Sequence, residues 1–195
     1  MKDNLNNYLK EILEVLLHVF IVFTIIVIIP YLVSGIWPPF SSVLSESMEP
    51  NIQKNDMIFI IDNERYTDSN LYGGIHTIDD EKKKSFNEYG SVILYKPDGN
   101  SDDIPVIHRA AYFTEEDEDW TLQLDRNDTY YNSCSSIDYC PAPNKGYITL
   151  GDNNNGVYDQ TAGISKPVKE EWIIGRAQYR APSFGTIRNI IHNNS

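Results

Sequence analysis

Hydrophobic positions are distributed in two different ways along this chain. Between Glu14 and Glu46 there is no Asp, Glu, Lys or Arg, and "VLLHVFIVFTIIVIIPYLVSGIWPPF" is apolar almost throughout. From residue 56 onward the apolar positions come in short runs separated by Gly, Pro, Asn and Asp. A helix needs about 20 apolar residues to cross a bilayer, and 15–37 meets that length. Pro30 predicts a kink near its outer end. His18 falls close to the N-terminal edge, where an interfacial side chain with no chemical task is expected. Tyr31 and Trp37 suit the opposite interface, where amphipathic aromatics collect. The run exceeds the 7–15 apolar residues usual in a cleaved leader, and no A-x-A-like site follows it, so an uncleaved anchor is expected. Lys2 and Lys10 precede it, diluted by Asp3, Glu11 and Glu14. Lys and Arg dominate orientation, which favours a cytoplasmic 1–14 and an extracytoplasmic remainder. The C-terminal "FGTIRNIIHNNS" is too short and polar to cross again, which leaves 187–195 as a tail.

The short runs read as strands. "DMIFIID", "GSVILYKP", "IPVIHRAAYF", "WTLQL", "KGYITLGDNN" and "EEWIIGRAQYR" are rich in β-branched and aromatic residues and are bounded by turn formers. No stretch after residue 40 carries a helical period of useful length. A mostly-β domain over 38–186 is expected, with polar insertions near 62–89 and 114–146 standing outside its core.

Charge then narrows the function classes. The formal net charge of −12 argues against a nucleic-acid partner, which needs a basic face. Segment 114–146 holds eight acids against Arg126 and Lys145, about half of that net charge. Contiguous acids of this kind read as a solvated face, since they lack the spacing of a calcium loop. There is no zinc-type Cys/His spacing and no glycine-rich phosphate loop, so no metal or cofactor is expected. The two cysteines, Cys134 and Cys140, fit a small disulfide loop in an oxidising compartment or, equally, two reduced thiols.

Candidate chemistry begins at "SESMEP", residues 45–50, just past the apolar run. A serine hydroxyl needs a neighbouring base to become a nucleophile. Of the four histidines, His18 belongs to the membrane run, His192 to the tail and His76 to the glycine-flanked "YGGIHT". Only His108 sits in an apolar strand pattern. A lone strand histidine is more often half-buried filling than a base, unless a carboxylate holds it. "LGDNNNGVYDQ" offers two carboxylates, Asp152 and Asp159, directly after a strand, although Gly-Asp-Asn-Asn alone is an ordinary turn.

In order and context, these motifs resemble the type I signal peptidases. Ser-x-Ser-Met-x-Pro follows a transmembrane segment, Ile-His-Arg lies in a strand, and Gly-Asp-Asn-Asn is followed by another Asp. The closer resemblance is to the branch of archaea, the endoplasmic reticulum and some spore-forming bacteria, which has histidine where common bacterial enzymes have a lysine base. "IIGRAQYR" is similar to that family's closing strand. The resemblance runs from residue 15 to about 186, without the two insertions. It implies a signal-peptidase-like β-fold with Ser47 as nucleophile, His108 as general base, and Ser45 assisting the oxyanion. Met48 and Pro50 would shape the turn. The family's second aspartate normally follows the first by six residues; here Tyr158 holds that position and Asp159 comes one later. Asp159 is favoured as the orienting acid, with Asp152 shaping the loop. The resemblance further implies a serine endopeptidase acting on the signal peptides of secretory preproteins. Its partners would be the bilayer and the translocation machinery. It would sit in the cell membrane, or in the endoplasmic reticulum membrane of a eukaryote. The alternatives are a membrane-anchored extracytoplasmic binding module, an inactive signal-peptidase-complex subunit, or a serine peptidase with one narrow substrate.

Overall fold

The computed structural model describes residues 2–63, 65, 74–80, 83–124 and 134–182. The tail 187–195 with His192, and parts of both expected insertions, lie outside the described residues. The apolar run forms α1 (Lys2–Phe23), a π-helical turn (Thr24–Ile28) and α2 (Ile29–Ser34). Among the described residues one helix, Asn6–Ser34, is long and apolar enough to cross a membrane, and none of its apolar window is buried against protein. Its 29 residues span about 43 Å. The disturbance expected at Pro30 takes the form of the π turn directly before it. Proline lacks an N–H and its ring crowds the carbonyl four residues back, and a wider turn relieves both. The helix stops at Gly35, whose φ of +85° suits a left-handed cap and whose N–H reaches the Tyr31 carbonyl at 2.8 Å. Arg65 donates to the last carbonyls, Leu32 and Val33. Ser34 Oγ donates to Ile60 O at 2.7 Å, which ties the helix end to the sheet.

The strands are β1 (Phe40–Ser42), β2 (Met57–Asp62), β3 (Lys84–Ser85), β4 (Glu88–Tyr89), β5 (Val92–Tyr95), β6 (Val106–Thr114), β7 (Gly146–Leu150) and β8 (Ile173–Ala181). Six of them form one antiparallel sheet in the order β1-β2-β8-β5-β6-β7, and β3 and β4 pair separately. The mostly-β fold expected from the runs is therefore the fold observed. Register shifts lie between Phe59 and Ile60 on β2, between Leu94 and Tyr95 on β5, and between Ala110 and Tyr112 on β6. Such irregularities bend a strand and sharpen its twist. One face of the sheet packs Val43, Met48, Ile52, Ile58, Ile60, Val92 and Leu94. The alternate positions Ile93, Tyr95 and Ala110 build a second cluster, as the two-residue period of a strand requires.

Two expectations need correction. "WTLQL" is not a strand: Trp120–Gln123 is a 3₁₀ turn, with Asp119 accepting from Thr121 N at 3.1 Å. Apolar alternation over so few residues fits a tight turn that buries one side equally well. Nor do the described residues of 114–146 all stand outside the core. Trp120 is fully buried beside Leu124, Ala142, Ile148 and Tyr158 in a third cluster, and its ring meets Tyr158 edge-on at 5.9 Å. Averaging over the acidic residues hides the tryptophan that anchors them. Two of those acids serve the turn itself. Glu118 accepts from Glu115 N–H at 2.8 Å, which with the Thr114 hydroxyl and the Gln123 amide holds its carboxyl below the usual range. Cys134 and Cys140 are joined in a disulfide, so neither sulfur is left to ligate a metal beside Asp119.

Candidate active site

Ser47 sits in the turn after β1, one residue before Met48, which is fully buried. The methionine roots the turn in the core, while Ser45 and Glu46 stay exposed. The Glu49–Pro50 peptide is cis. Ser47 Oγ lies 2.9 Å from His108 Nε2 and 3.0 Å from Ser45 Oγ. Among the described residues the Ser47 N–H makes no backbone hydrogen bond.

His108 is on β6, directly opposite Ile93 of β5, and is 5% exposed. Its Nδ1 lies 2.8 Å from both carboxylate oxygens of Asp159. Asp159 follows the isolated bridge between Leu150 and Tyr158, and its own N–H donates to Thr149 O at 2.8 Å. The chain after β7 thus doubles back along that strand and delivers the carboxylate beneath the imidazole. Asp159 is wholly buried, and its Oδ2 also accepts from Tyr95 Oη at 2.7 Å and Thr149 Oγ1 at 2.6 Å. Burial, followed by the Asp159 charge, pushes the Tyr95 phenol well above its ordinary value. Tyr95 is therefore a neutral donor at physiological pH.

Asp152 is engaged elsewhere. Arg109, the strand neighbour of His108, grips it with two hydrogen bonds of 2.7 Å, Nε to Oδ1 and Nη2 to Oδ2. Asn51 adds a third at 2.9 Å from the Ser47 turn. Both charges of this pair are nearly buried, so bidentate geometry and extra donors are what offset their desolvation. The same loop reaches the nucleophile turn through Asn153, whose N–H donates to Ser47 O at 2.8 Å. Asp152 and Arg109 therefore clamp the turn carrying Ser47 to the strand carrying His108.

Among the described residues the other two histidines lie apart from this constellation. His18 Nδ1 donates to Glu14 O at 2.6 Å within α1. His76 pairs with Asp80 at 2.6 Å and lines a separate cavity of about 100 Å³ with Lys83, Ser91 and Arg176. Sequence reasoning missed Tyr95, Thr149 and Asn51. The strand period gives the first two a face, and the pairing of β6 with β5 and β7 is what brings them to His108. Ile93 and Tyr95 share a face two residues apart, and Thr149 stands opposite Ala110, two positions from His108.

Ser47 and His108 open onto a groove of about 820 Å³, whose walls include Ser41, Ser42, Leu44, Leu94, Ile107 and Ile164. Chemically, a hydroxyl within reach of an imidazole that is itself held by a buried carboxylate can be deprotonated as it attacks an electrophilic carbon.

No protein-family model matches the chain. It is similar to the signal peptidase complex catalytic subunit sec11 of Aspergillus terreus, with 27% identity over 79% of this chain and 65% of that protein. The chain thus spans slightly less than two thirds of that relative's length. That similarity supports a signal peptidase I-type family, of the endoplasmic-reticulum kind, for this chain.

Proposed function

We propose that this chain is a membrane-anchored serine endopeptidase that removes N-terminal signal peptides from preproteins during or after translocation. The observation that carries the reading is the hydrogen-bonded line from Ser47 Oγ through His108 to Asp159, with steps of 2.9 and 2.8 Å. His108 must hold its neutral proton on Nδ1, toward Asp159, so that Nε2 is free to accept. It takes the Ser47 proton as the oxygen attacks the scissile carbonyl. This reading assigns the developing oxyanion to the Ser47 N–H and to the Ser45 hydroxyl, which lies 3.0 Å from Ser47 Oγ, and one such donor is worth about 3–4 kcal/mol of barrier. His108 next protonates the leaving amine. Water, deprotonated by the same imidazole, then releases the acyl-enzyme. The apolar groove suits an extended peptide with uncharged side chains.

In this reading 1–14 is cytoplasmic, the helix of the expected 15–37 run, which ends at Ser34 rather than Trp37, spans the membrane, and the β-domain up to 186 lies outside with the disulfide-bonded Cys134 and Cys140, in keeping with an oxidising compartment. A signal peptide leaving the translocation machinery is itself membrane-bound, so enzyme and cleavage site share one thin layer. Purified full-length chain in detergent should cut a preprotein at its signal-peptide junction, and Ser47→Ala should not. Equal cleavage by both would remove the reading. Added protease should digest the β-domain of intact right-side-out vesicles. Digestion in inverted vesicles alone would reverse the topology.

A further inference from the structure

A buried carboxylate beside an imidazole has two ways to fail as an orienting group. It can rotate away, or it can itself take up a proton, so that it no longer accepts from Nδ1 and the neutral ring can carry its single proton on Nε2, where it cannot accept from Ser47. Asp159 is wholly buried, and an ion so placed needs several donors to stay charged. His108 supplies one N–H. The other two come from the sheet: Tyr95 Oη at 2.7 Å from β5 and Thr149 Oγ1 at 2.6 Å from β7, both on Oδ2. Both side chains are themselves fully buried, and the two hydroxyl oxygens are 3.4 Å apart. The titratable groups against Asp159 are His108 and Tyr95, and the charge of Asp98 acts on Tyr95 as well.

We propose that Tyr95 and Thr149 are positioning residues for the Ser47–His108 chemistry, acting through Asp159. Their hydroxyls pin Oδ2, so that the carboxylate remains ionised and turned toward Nδ1. The proposal rests on reading Ser47, His108 and Asp159 as a peptidase site. A carboxylate with two hydroxyl donors is less basic than one without them. Removing a donor concentrates negative charge toward the ring. This stabilises the imidazolium, and it frees the carboxylate to turn away from Nδ1. A ring already protonated cannot accept from Ser47, and one whose Nδ1 is no longer held can carry its single proton on Nε2 instead. The first effect also moves the ring's protonation to higher pH.

The test uses full-length protein in detergent, with Tyr95→Phe, Thr149→Val, Thr149→Ser and, as a control, Tyr179→Phe at an exposed position. Two quantities are read: kcat and KM on a preprotein across pH, and the titration midpoint of the His108 imidazole by NMR, which needs no turnover. Tyr95→Phe and Thr149→Val should each lower kcat about tenfold with KM nearly constant, and move the His108 midpoint up by about one unit. Thr149→Ser, which keeps the hydroxyl, and Tyr179→Phe should match wild type in both. A wild-type midpoint and kcat in folded Tyr95→Phe and Thr149→Val would overturn the proposal. So would a fall in activity that follows melting temperature while the midpoint stays put. If Tyr95→Phe does not fold, the Thr149 pair decides by the same criteria. If the wild type cleaves no preprotein, the peptidase reading fails by itself, and the midpoints still decide whether the two hydroxyls act on His108.

Discussion

A Cβ on Gly151 would come within 2.5 Å of the Ser47 carbonyl oxygen. The loop after β7 is therefore pressed directly onto the backbone of the turn that carries the nucleophile. Neither partner is the flexible end of a side chain, so the clash could be relieved only by moving backbone. Gly151→Ala is expected to separate the Ser47 turn from His108 and lower turnover at least 100-fold, in line with the penalty for misplacing reacting groups by about 1 Å. Melting temperature should fall by only a few degrees. Cleavage kinetics beside a thermal melt would check this, and wild-type turnover in the folded variant would show that the contact is slack.

The two loop carboxylates should separate cleanly by mutation. Asp159→Asn keeps the shape but removes the charge facing the imidazole. Loss of such a group in a serine triad has cost around 10⁴ in turnover, and a reduction of several orders of magnitude is expected here with a near-native melt. Asp152→Ala instead strands Arg109, which is 2% exposed. Breaking a buried ion pair on one side costs about 3–5 kcal/mol, so this variant should lose stability first. A folded but inactive Asp152→Ala, with Asp159→Asn nearly silent, would exchange the two roles.

Of the histidines, His108 alone should control reactivity. Ser47 should be labelled by a fluorophosphonate probe, and His108→Ala should reduce the labelling rate by orders of magnitude. His76→Ala, which opens the Asp80 pair, should leave the rate within about twofold of wild type. Retained labelling in His108→Ala would require a different base for Ser47.

Alkaline pH should loosen the fold through Tyr147. Burial, with the charge of Glu170 adding to it, pushes its phenol up to about 12. The folded protein thus keeps a proton that the unfolded chain gives up near 10. Its contribution to stability is fully present below about 10 and is lost as pH rises through 12. Denaturant melts at about pH 9 and about pH 11 should show stability falling, and Tyr147→Phe should flatten that fall. An unchanged slope in the variant would mean that the phenol titrates as if exposed.

Trp120 offers a test of the acidic segment. Trp120→Ala removes a fully buried ring from the cluster containing Tyr158 and Ile148, and should cost about 3–5 kcal/mol. Denaturant melts would measure it. A loss below about 1 kcal/mol would show that the segment is packed on the domain without supporting it.

Much of this molecule is local and therefore legible in its sequence. An apolar run without charges can satisfy its backbone in lipid only as a helix, so 15–37 announces itself. The runs around Ile58, Ile93, His108, Ile148 and Arg176 are strands because β-branched and aromatic residues bounded by turn formers favour that state. Ser47 and His108 could be singled out because a resemblance in motif order accompanied them. The π turn before Pro30, the 3₁₀ turn at Trp120 and the buried role of that tryptophan were not legible. The last two depend on what packs against the segment rather than on its own pattern, whereas the π turn is the particular form in which the helix accommodates Pro30. The division of labour between Asp152 and Asp159 belongs to the tertiary structure as well. Seven residues apart in one loop, the two carboxylates look interchangeable. What separates them is the pairing of β6 with β5 and β7. Strand alternation sends His108 to one face and Arg109 to the other, and each takes the carboxylate that the returning chain brings to its side. Tyr95 and Thr149 gain their place by the same register: as single residues they are ordinary strand formers, and only pairing sets their hydroxyls against one buried oxygen.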